Sequence, residues 1–145
     1  MQPVNEMKLE FVSKSSNEAF ARVAAAAFVS QLDPTLEELA DVKTAVSEAV
    51  TNAIIHGYEN RHGIIKMVCR LYRNSVEIEI SDEGKGIENI EEARKPLYTS
   101  RPDMERSGMG FAVMESFMDK VEVSSKPGEG TTVTLYKTFN SVGGG

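Results

Sequence analysis

The sequence is poor in several residue types that often define a site by themselves. Its 145 residues include no tryptophan, two histidines and one cysteine. A lone cysteine cannot form an internal disulfide or a cysteine-rich metal site. Because Cys69 falls in a strand-like run, we expect it to be a small buried core residue.

Basic residues are scarce relative to acidic ones. The chain carries 16 Lys and Arg against 22 Asp and Glu, for a formal net charge of -6. A nucleic-acid surface needs clustered basic side chains that displace counterions from phosphate. The composition therefore argues against direct nucleic-acid binding, and any role in transcription would act through protein contacts.

Long apolar runs are also missing. The longest uninterrupted one, "VAAAAFV" at residues 23–29, is far shorter than the ~20 residues of a membrane-spanning helix. The N-terminal "MQPVNEMKLE" lacks the basic-then-apolar pattern of a signal peptide, so we predict a cytoplasmic protein. With 41% hydrophobic residues, we expect one folded domain over residues 1–139 and a disordered tail at residues 140–145.

Hydrophobic periodicity predicts the order of helices and strands. Period-two alternation and apolar runs indicate strands at residues 7–11, 64–73, 76–81, 121–125 and 131–139. Helical spacing indicates helices at residues 16–32 and 35–57, with shorter ones near 89–94 and 108–121. Helices in the first half and neighbouring strand pairs predict an α+β fold, a two-layer α/β sandwich with a mixed, mostly antiparallel sheet.

The two long helices have different apolar faces. In the second helix the expected core face is Val42, Ala45, Val46, Ala49, Val50 and Ala53. A capping box, "TLEE" at residues 35–38, marks its start. In the first helix, the same spacing predicts a buried face of Phe20, Val23, Ala24, Ala27, Phe28 and Gln31.

A polar stripe interrupts the second helix. Glu48, Asn52 and His56 follow one another at spacings of four in "EAVTNAIIHG", so they lie on one flank of its apolar face. An unpaired polar group buried there would cost on the order of 1 to 3 kcal/mol. Two interpretations stay open: a solvated face, or a site in which the Asn52 carbonyl holds Mg²⁺ and Glu48 accepts a proton. Zinc suits the stripe less well, because only one histidine lies on the helix.

Two glycine-containing segments follow. "DEGKG" comes directly after a strand, so Asp82 should stand at the strand end, where an ionised carboxylate suits a ligand amine such as that of adenine. "SGMGF" places glycines at a helix start, where backbone N–H groups favour phosphate. Each segment alone could also be an ordinary turn, and no P-loop motif is present.

The order of these motifs is more specific than any one of them. Glu-x-x-x-Asn-x-x-x-His, Asp-x-Gly-x-Gly, a long loop, Gly-x-Gly and a final Gly-x-Gly-Thr resemble the N, G1, G2 and G3 boxes of the GHKL nucleotide-binding superfamily. "SEAVTNAIIHGY", "DEGKGI" and "ERSGMGF" are similar to bacterial anti-sigma factor serine kinases, most closely to the sporulation members of that family. The resemblance covers residues 7–139 and implies a Bergerat-type ATP-binding fold.

The resemblance implies a role for each matching residue. Glu48 would be the catalytic base and Asn52 the Mg²⁺ ligand, with His56 on the phosphate side. Asp82 would receive the adenine amine, helped through a water by Thr131, with Thr132 the less suitable hydroxyl. The other implied ATP contacts are Gly84 and Gly86 beside adenine, and Thr99, Ser100, Arg101, Arg106, Ser107, Gly108, Met109, Gly110 and Phe111 in and after a lid at residues 87–107.

The resemblance also implies partners. Kinases of this family hold an RNA polymerase sigma factor inactive, phosphorylate a serine of an anti-anti-sigma factor, and commonly form homodimers. Arg22, off the apolar face of the first helix, is a candidate contact for an acidic partner, although a solvated surface arginine fits equally well. The alternative hypothesis is a nucleotide-gated sigma-binding module of the general-stress type, with little or no kinase activity.

Overall fold

The computed structural model describes residues 2–94 and 110–140. Its strands and α-helices follow the order predicted from periodicity. They are β1 Asn5–Val12, α1 Ser16–Val29, α2 Leu36–Asn52, β2 Ile64–Leu71, β3 Ser75–Asp82, α3 Ile90–Ala93, α4 Phe111–Phe117, β4 Lys120–Lys126 and β5 Gly130–Thr138. A 3-10 turn, Ser30–Leu32, follows α1, and a π-helical turn, Ala53–Gly57, continues α2.

The strands form one sheet in the order β1-β2-β3-β5-β4, and every pairing among the described residues is antiparallel. The helices pack on one face of it, with α2 between α1 and α4. Along β3 the side chains alternate, and Val76, Ile78, Ile80 and Asp82 are the buried ones. The predicted two-layer sandwich is confirmed, and a carboxylate ends the buried row of β3.

The second helix begins and packs as its sequence predicts. Thr35 Oγ1 accepts a hydrogen bond from the Glu38 N–H at 3.0 Å, and Glu38 Oε1 accepts one from the Thr35 N–H at 2.9 Å. Two helix-start donors are thereby satisfied. The core face predicted for this helix is buried throughout: Val42, Ala45, Val46, Ala49, Val50 and Ala53.

The predicted face of α1 is wrong. Its buried residues are Ala21, Ala25, Ala26 and Val29, whereas Phe20 and Val23 are 54% and 59% exposed. In an alanine-rich helix several faces are apolar, so packing against α2 selects the face. The small residues Ala21 and Ala25 let the two helices approach closely, and the larger apolar side chains are left outside.

Cys69 is fully buried in β2, as expected. Burial raises the pKa of its thiol to about 12, so the sulfur stays protonated and unreactive. Among the described helices, none has the length and apolar character needed to span a membrane.

The capping box predicts a measurable contribution to stability. Replacing Thr35 by alanine removes a cap acceptor and should lower the free energy of unfolding by about 1 kcal/mol in urea denaturation. Ser15→Ala is the matched control, because Ser15 holds the N-cap position of α1 without a side-chain capping bond. Equal losses in the two variants would contradict a role for the box.

Candidate functional site

A cavity lies between α2 with its π-helical turn, the strand ends of β3 and β5, and the start of α4. Its empty volume is about 340 Å³, at the small end of the range for small-molecule sites, roughly 300 to 1,000 Å³. The walls are mainly apolar and include a few polar side chains. The lining residues are Ala49, Asn52, Ala53, His56, Gly57, Ile80, Asp82, Gly86, Ile87, Phe111, Thr131 and Val133.

The buried carboxyl of Asp82 forms one end of this cavity. Burial raises its pKa from 3.8 to about 6, although the N–H groups of Gly84 and Thr131 donate to the carboxylate and lower the pKa in part. The Gly84 bond is 2.9 Å long. At neutral pH the group is ionised and can only accept hydrogen bonds. This end of the cavity therefore suits a ligand that brings donors.

Two main-chain segments meet tightly beside Asp82. The Lys85 N–H donates to the carbonyl of Gly57 at 2.9 Å. A Cβ added at Gly84 would lie 2.0 Å from the Gly57 oxygen, and one added at Gly57 would lie 2.7 Å from the Asp82 Cγ. Glycine is thus required at both positions, and Gly84 packs against the helix end, whereas Gly86 lines the cavity.

Tyr58 holds the same two segments from outside. Its hydroxyl accepts from the Glu83 N–H at 2.8 Å and donates to the Ile64 carbonyl at 2.7 Å. The hydroxyl therefore connects the end of α2 with the start of β2 and with the loop after Asp82. No pattern in the sequence indicated Tyr58, because both of its partners are distant along the chain.

The π-helical turn brings two residues of the polar stripe to the cavity. In a regular α-helix, residues four apart drift by about 40°, but the Tyr58 N–H bonds to the Ala53 carbonyl, five residues back, which widens the last turn. Asn52 and His56 both line the cavity and are buried, with 6% and 1% of their surface exposed.

Asn52 presents an unsatisfied amide to the cavity. Neither its Oδ1 nor its Nδ2 has a hydrogen-bond partner among the described residues. A buried amide without partners is costly, so the geometry fits a ligand or a cation at this position. The described residues contain no cluster of three or more His, Cys, Asp or Glu that could hold a metal alone. A metal held here would therefore depend on ligand oxygens and water, as Mg²⁺ commonly does.

Glu48 lies at the rim, outside the cavity lining. Its Oε2 would be 2.3 Å from a Cβ placed at Gly110, which has a φ of 72° and begins α4. The carboxylate is therefore packed against the main chain of Gly110. On its other side it borders a surface groove with Arg22 and Lys43. Arg22 has a 38% exposed side chain and pairs with Glu18 at 3.7 Å.

The hydroxyls of the last two strands point to different places. Thr131 is paired with Asp82 in the β3–β5 register and lines the cavity. Its Oγ1 lies 2.8 Å from the Ser125 Oγ. Thr132 lies on the other face of the sheet, 3.1 Å from the Ser81 hydroxyl. Sequence reasoning missed Ser125, although the hairpin turn between β4 and β5 places it opposite Thr131.

Several predicted site residues can be compared with the structure and others cannot. The cavity brings together Asn52, His56, Asp82, Gly86, Phe111 and Thr131. The predicted lid contacts at Thr99, Ser100, Arg101, Arg106, Ser107, Gly108 and Met109 lie outside the described residues.

Comparison with known proteins gives the family. Residues 11–137 match the histidine kinase-like ATPase domain. The chain is 65% identical to the anti-sigma F factor of Clostridium beijerinckii over 139 residues, which are 95% of this chain and 97% of that protein. It is 59% identical to the anti-sigma F factor of a Thermoanaerobacter species over 141 residues, which are 97% and 99% of the two chains.

Solved structures show the same fold at lower identity. The RsbU and RsbW domains of a Mycobacterium tuberculosis protein match with a TM-score of 0.69 and 20% identity, over 94% of this chain and 32% of that one. The catalytic domain of the histidine kinase ThkA matches with a TM-score of 0.59 and 15% identity, over 92% and 96%. The matched family is an ATPase domain, which implies a site for ATP or ADP. The chain therefore belongs to the histidine kinase-like ATPase domains and, among them, to the family of anti-sigma F factors.

Proposed function

We propose that this chain binds and inhibits the sporulation sigma factor sigma-F, and that it is also a Mg²⁺- and ATP-dependent protein serine kinase for an anti-anti-sigma factor. The identity of 59 to 65% with anti-sigma F factors over nearly the whole chain supports the partner. One structural observation carries the nucleotide part. The cavity has a buried, acceptor-only carboxylate at one end and an unsatisfied amide on its wall.

In this proposal the adenine amine donates to Asp82, and the phosphates extend along α2 past Asn52 towards Glu48. The Asn52 Oδ1 would hold Mg²⁺, and its lack of a partner among the described residues fits that role. The cation would neutralise phosphate charge and keep the γ-phosphoryl group oriented. His56, buried between Asn52 and the helix end, would border the phosphates.

Glu48 would act as the general base. It accepts the proton of the acceptor serine hydroxyl while the serine oxygen bonds to the γ-phosphorus. The bond from that phosphorus to the bridging oxygen of ADP breaks, leaving phosphoserine, ADP and a protonated Glu48. Its position at the rim supports this role, because the groove on its outer side is open to a protein substrate.

Partner binding would use the surface next to this rim. Arg22 borders the same groove as Glu48, which supports its assignment as a partner contact. Exposed Phe20 and Val23 give α1 an apolar outer side, which is consistent with a second copy covering it in a homodimer. A monomer mass in equilibrium sedimentation would contradict the dimer. A sigma factor as partner would place the protein in the cytoplasm.

The pKa of Asp82 predicts a pH dependence of nucleotide binding. Protonation turns the carboxylate from an acceptor into a donor, so the Kd for ATP should rise as the pH falls below about 6. Calorimetric titration between pH 5 and 8 measures it. Asp82→Asn should bind ATP at least tenfold more weakly and keep only the dependence due to phosphate titration. Equal pH profiles in the two proteins would remove Asp82 from the site.

The role of Glu48 predicts a selective loss of phosphate transfer. With γ-labelled ATP, Mg²⁺ and the anti-anti-sigma factor, Glu48→Gln should be slower by roughly 10²- to 10⁴-fold at an unchanged Kd for ATP. Glu37→Gln, an exposed change on the first turn of the same helix, should transfer at the wild-type rate. An unimpaired Glu48→Gln variant would refute the general-base assignment.

The same experiment separates the alternative function. If wild-type protein binds ATP but transfers no phosphate, the kinase proposal fails, and a nucleotide-gated sigma-binding module takes its place. Such a module requires different sigma-F affinities with ATP and with ADP, because a ligand shifts a conformation only through differential affinity.

A further inference from the structure

We propose that Ser125 is a specificity-determining residue: it fixes the direction of the Thr131 hydroxyl and thereby favours adenine over guanine in the cavity. The inference deepens the nucleotide binding proposed above and rests on it. Ser125 does not line the cavity, so it is a positioning residue that acts through Thr131.

Three polar atoms surround the Ser125 Oγ. The Ile87 N–H donates to it at 2.8 Å, the Gly130 carbonyl oxygen lies 3.0 Å away, and the Thr131 Oγ1 lies 2.8 Å away. The strand register explains the cluster, since Ser125 is paired directly with Thr131 across the β4–β5 hairpin.

Only one arrangement of hydrogens satisfies all three contacts. A serine hydroxyl has one hydrogen and two lone pairs. A carbonyl oxygen can only accept, so the Ser125 hydrogen points to Gly130. One lone pair is taken by the Ile87 N–H, and the other must then accept from the Thr131 hydroxyl. If Ser125 instead donated to Thr131, two acceptor oxygens would face each other at 3.0 Å.

The consequence reaches the cavity through Thr131. Because its hydrogen is used by Ser125, Thr131 presents only lone pairs to a ligand or to a bridging water. The Thr131 N–H is also engaged, since it donates to Asp82. The ionised carboxylate and the oriented hydroxyl therefore make this end of the cavity a set of acceptors.

Such a set of acceptors distinguishes the two purines. Adenine brings an exocyclic amine with two donor hydrogens, whereas guanine brings the O6 acceptor at the corresponding position. Without Ser125, the Thr131 hydroxyl can rotate and donate towards O6, which relieves part of the penalty against guanine. A merely structural Ser125, which only ties the hairpin to the loop at Ile87, would instead weaken both nucleotides by the same factor.

The test is the ratio of the Kd for GTP to the Kd for ATP, measured by calorimetry with Mg²⁺ at pH 7.5. Ser125→Ala should lower this ratio by about three- to tenfold, the factor that one hydrogen bond is typically worth. Ser125→Thr, which keeps the hydroxyl, should retain the wild-type ratio. Ser124→Ala is the matched control, because Ser124 is the exposed neighbour on the same strand and its ratio should not change.

A double-mutant cycle shows whether Ser125 acts through Thr131. In a Thr131→Val background, which lacks the hydroxyl, Ser125→Ala should leave the GTP to ATP ratio unchanged. If Ser125→Ala does not fold, Ser125→Cys replaces it, since a thiol is a weaker donor and acceptor of similar shape.

The outcomes are distinguishable. A wild-type preference for ATP that persists in folded Ser125→Ala, or that falls equally with and without the Thr131 hydroxyl, overturns this inference alone. Wild-type protein that binds neither nucleotide overturns the proposed function and this inference together.

Discussion

The buried carboxyl of Asp82 is the constraint on which the arrangement of the cavity depends. It ends an otherwise apolar row on β3, and it is held by N–H groups from Gly84 and from Thr131 on the neighbouring strand. Its folded pKa of about 6 lies above the ordinary 3.8, so the folded state binds its proton more tightly than the unfolded chain does. Stability contributed by this group is therefore lost as the pH rises from about 4 to 6, by roughly 3 kcal/mol in all.

This cost explains why a buried acid is useful at the end of a binding cavity. A ligand amine that donates to the ionised carboxylate supplies the interaction that burial removed from water. Part of the nucleotide's binding free energy would thus come from relieving a destabilised group. Ligand binding and the stability of the fold are coupled by the same atoms, and a bound ligand raises the apparent stability.

The parts of the fold that the sequence predicted correctly are those in which local pattern decides burial. Strict alternation from Val76 to Ile80 placed Asp82 on the core side at the strand end, and the structure confirms that placement. The capping box at Thr35 and the core face of α2 were likewise local features. The stripe of Glu48, Asn52 and His56 could be recognised as unusual, because it interrupts that face with polar groups.

The missed parts depend on contacts between distant segments. On α1, alanines made several faces equally apolar, so only the position of α2 decided that Phe20 stays outside. The π-helical turn changed the angular relation between Asn52 and His56, and an ideal helix gives no sign of it. Tyr58 and Ser125 act by hydrogen bonds to partners that only the folded sheet brings near.

The contact between Gly57 and Gly84 shapes one end of the cavity with main-chain atoms alone. Every other amino acid adds the same Cβ, so substitutions at these positions offer no graded series of sizes. Natural variation therefore has no small steps by which to widen or narrow this end. Diversification of ligand preference is directed instead to positions that contribute side chains to the wall, such as Ala49 and Val133, while the end beside Asp82 keeps one shape.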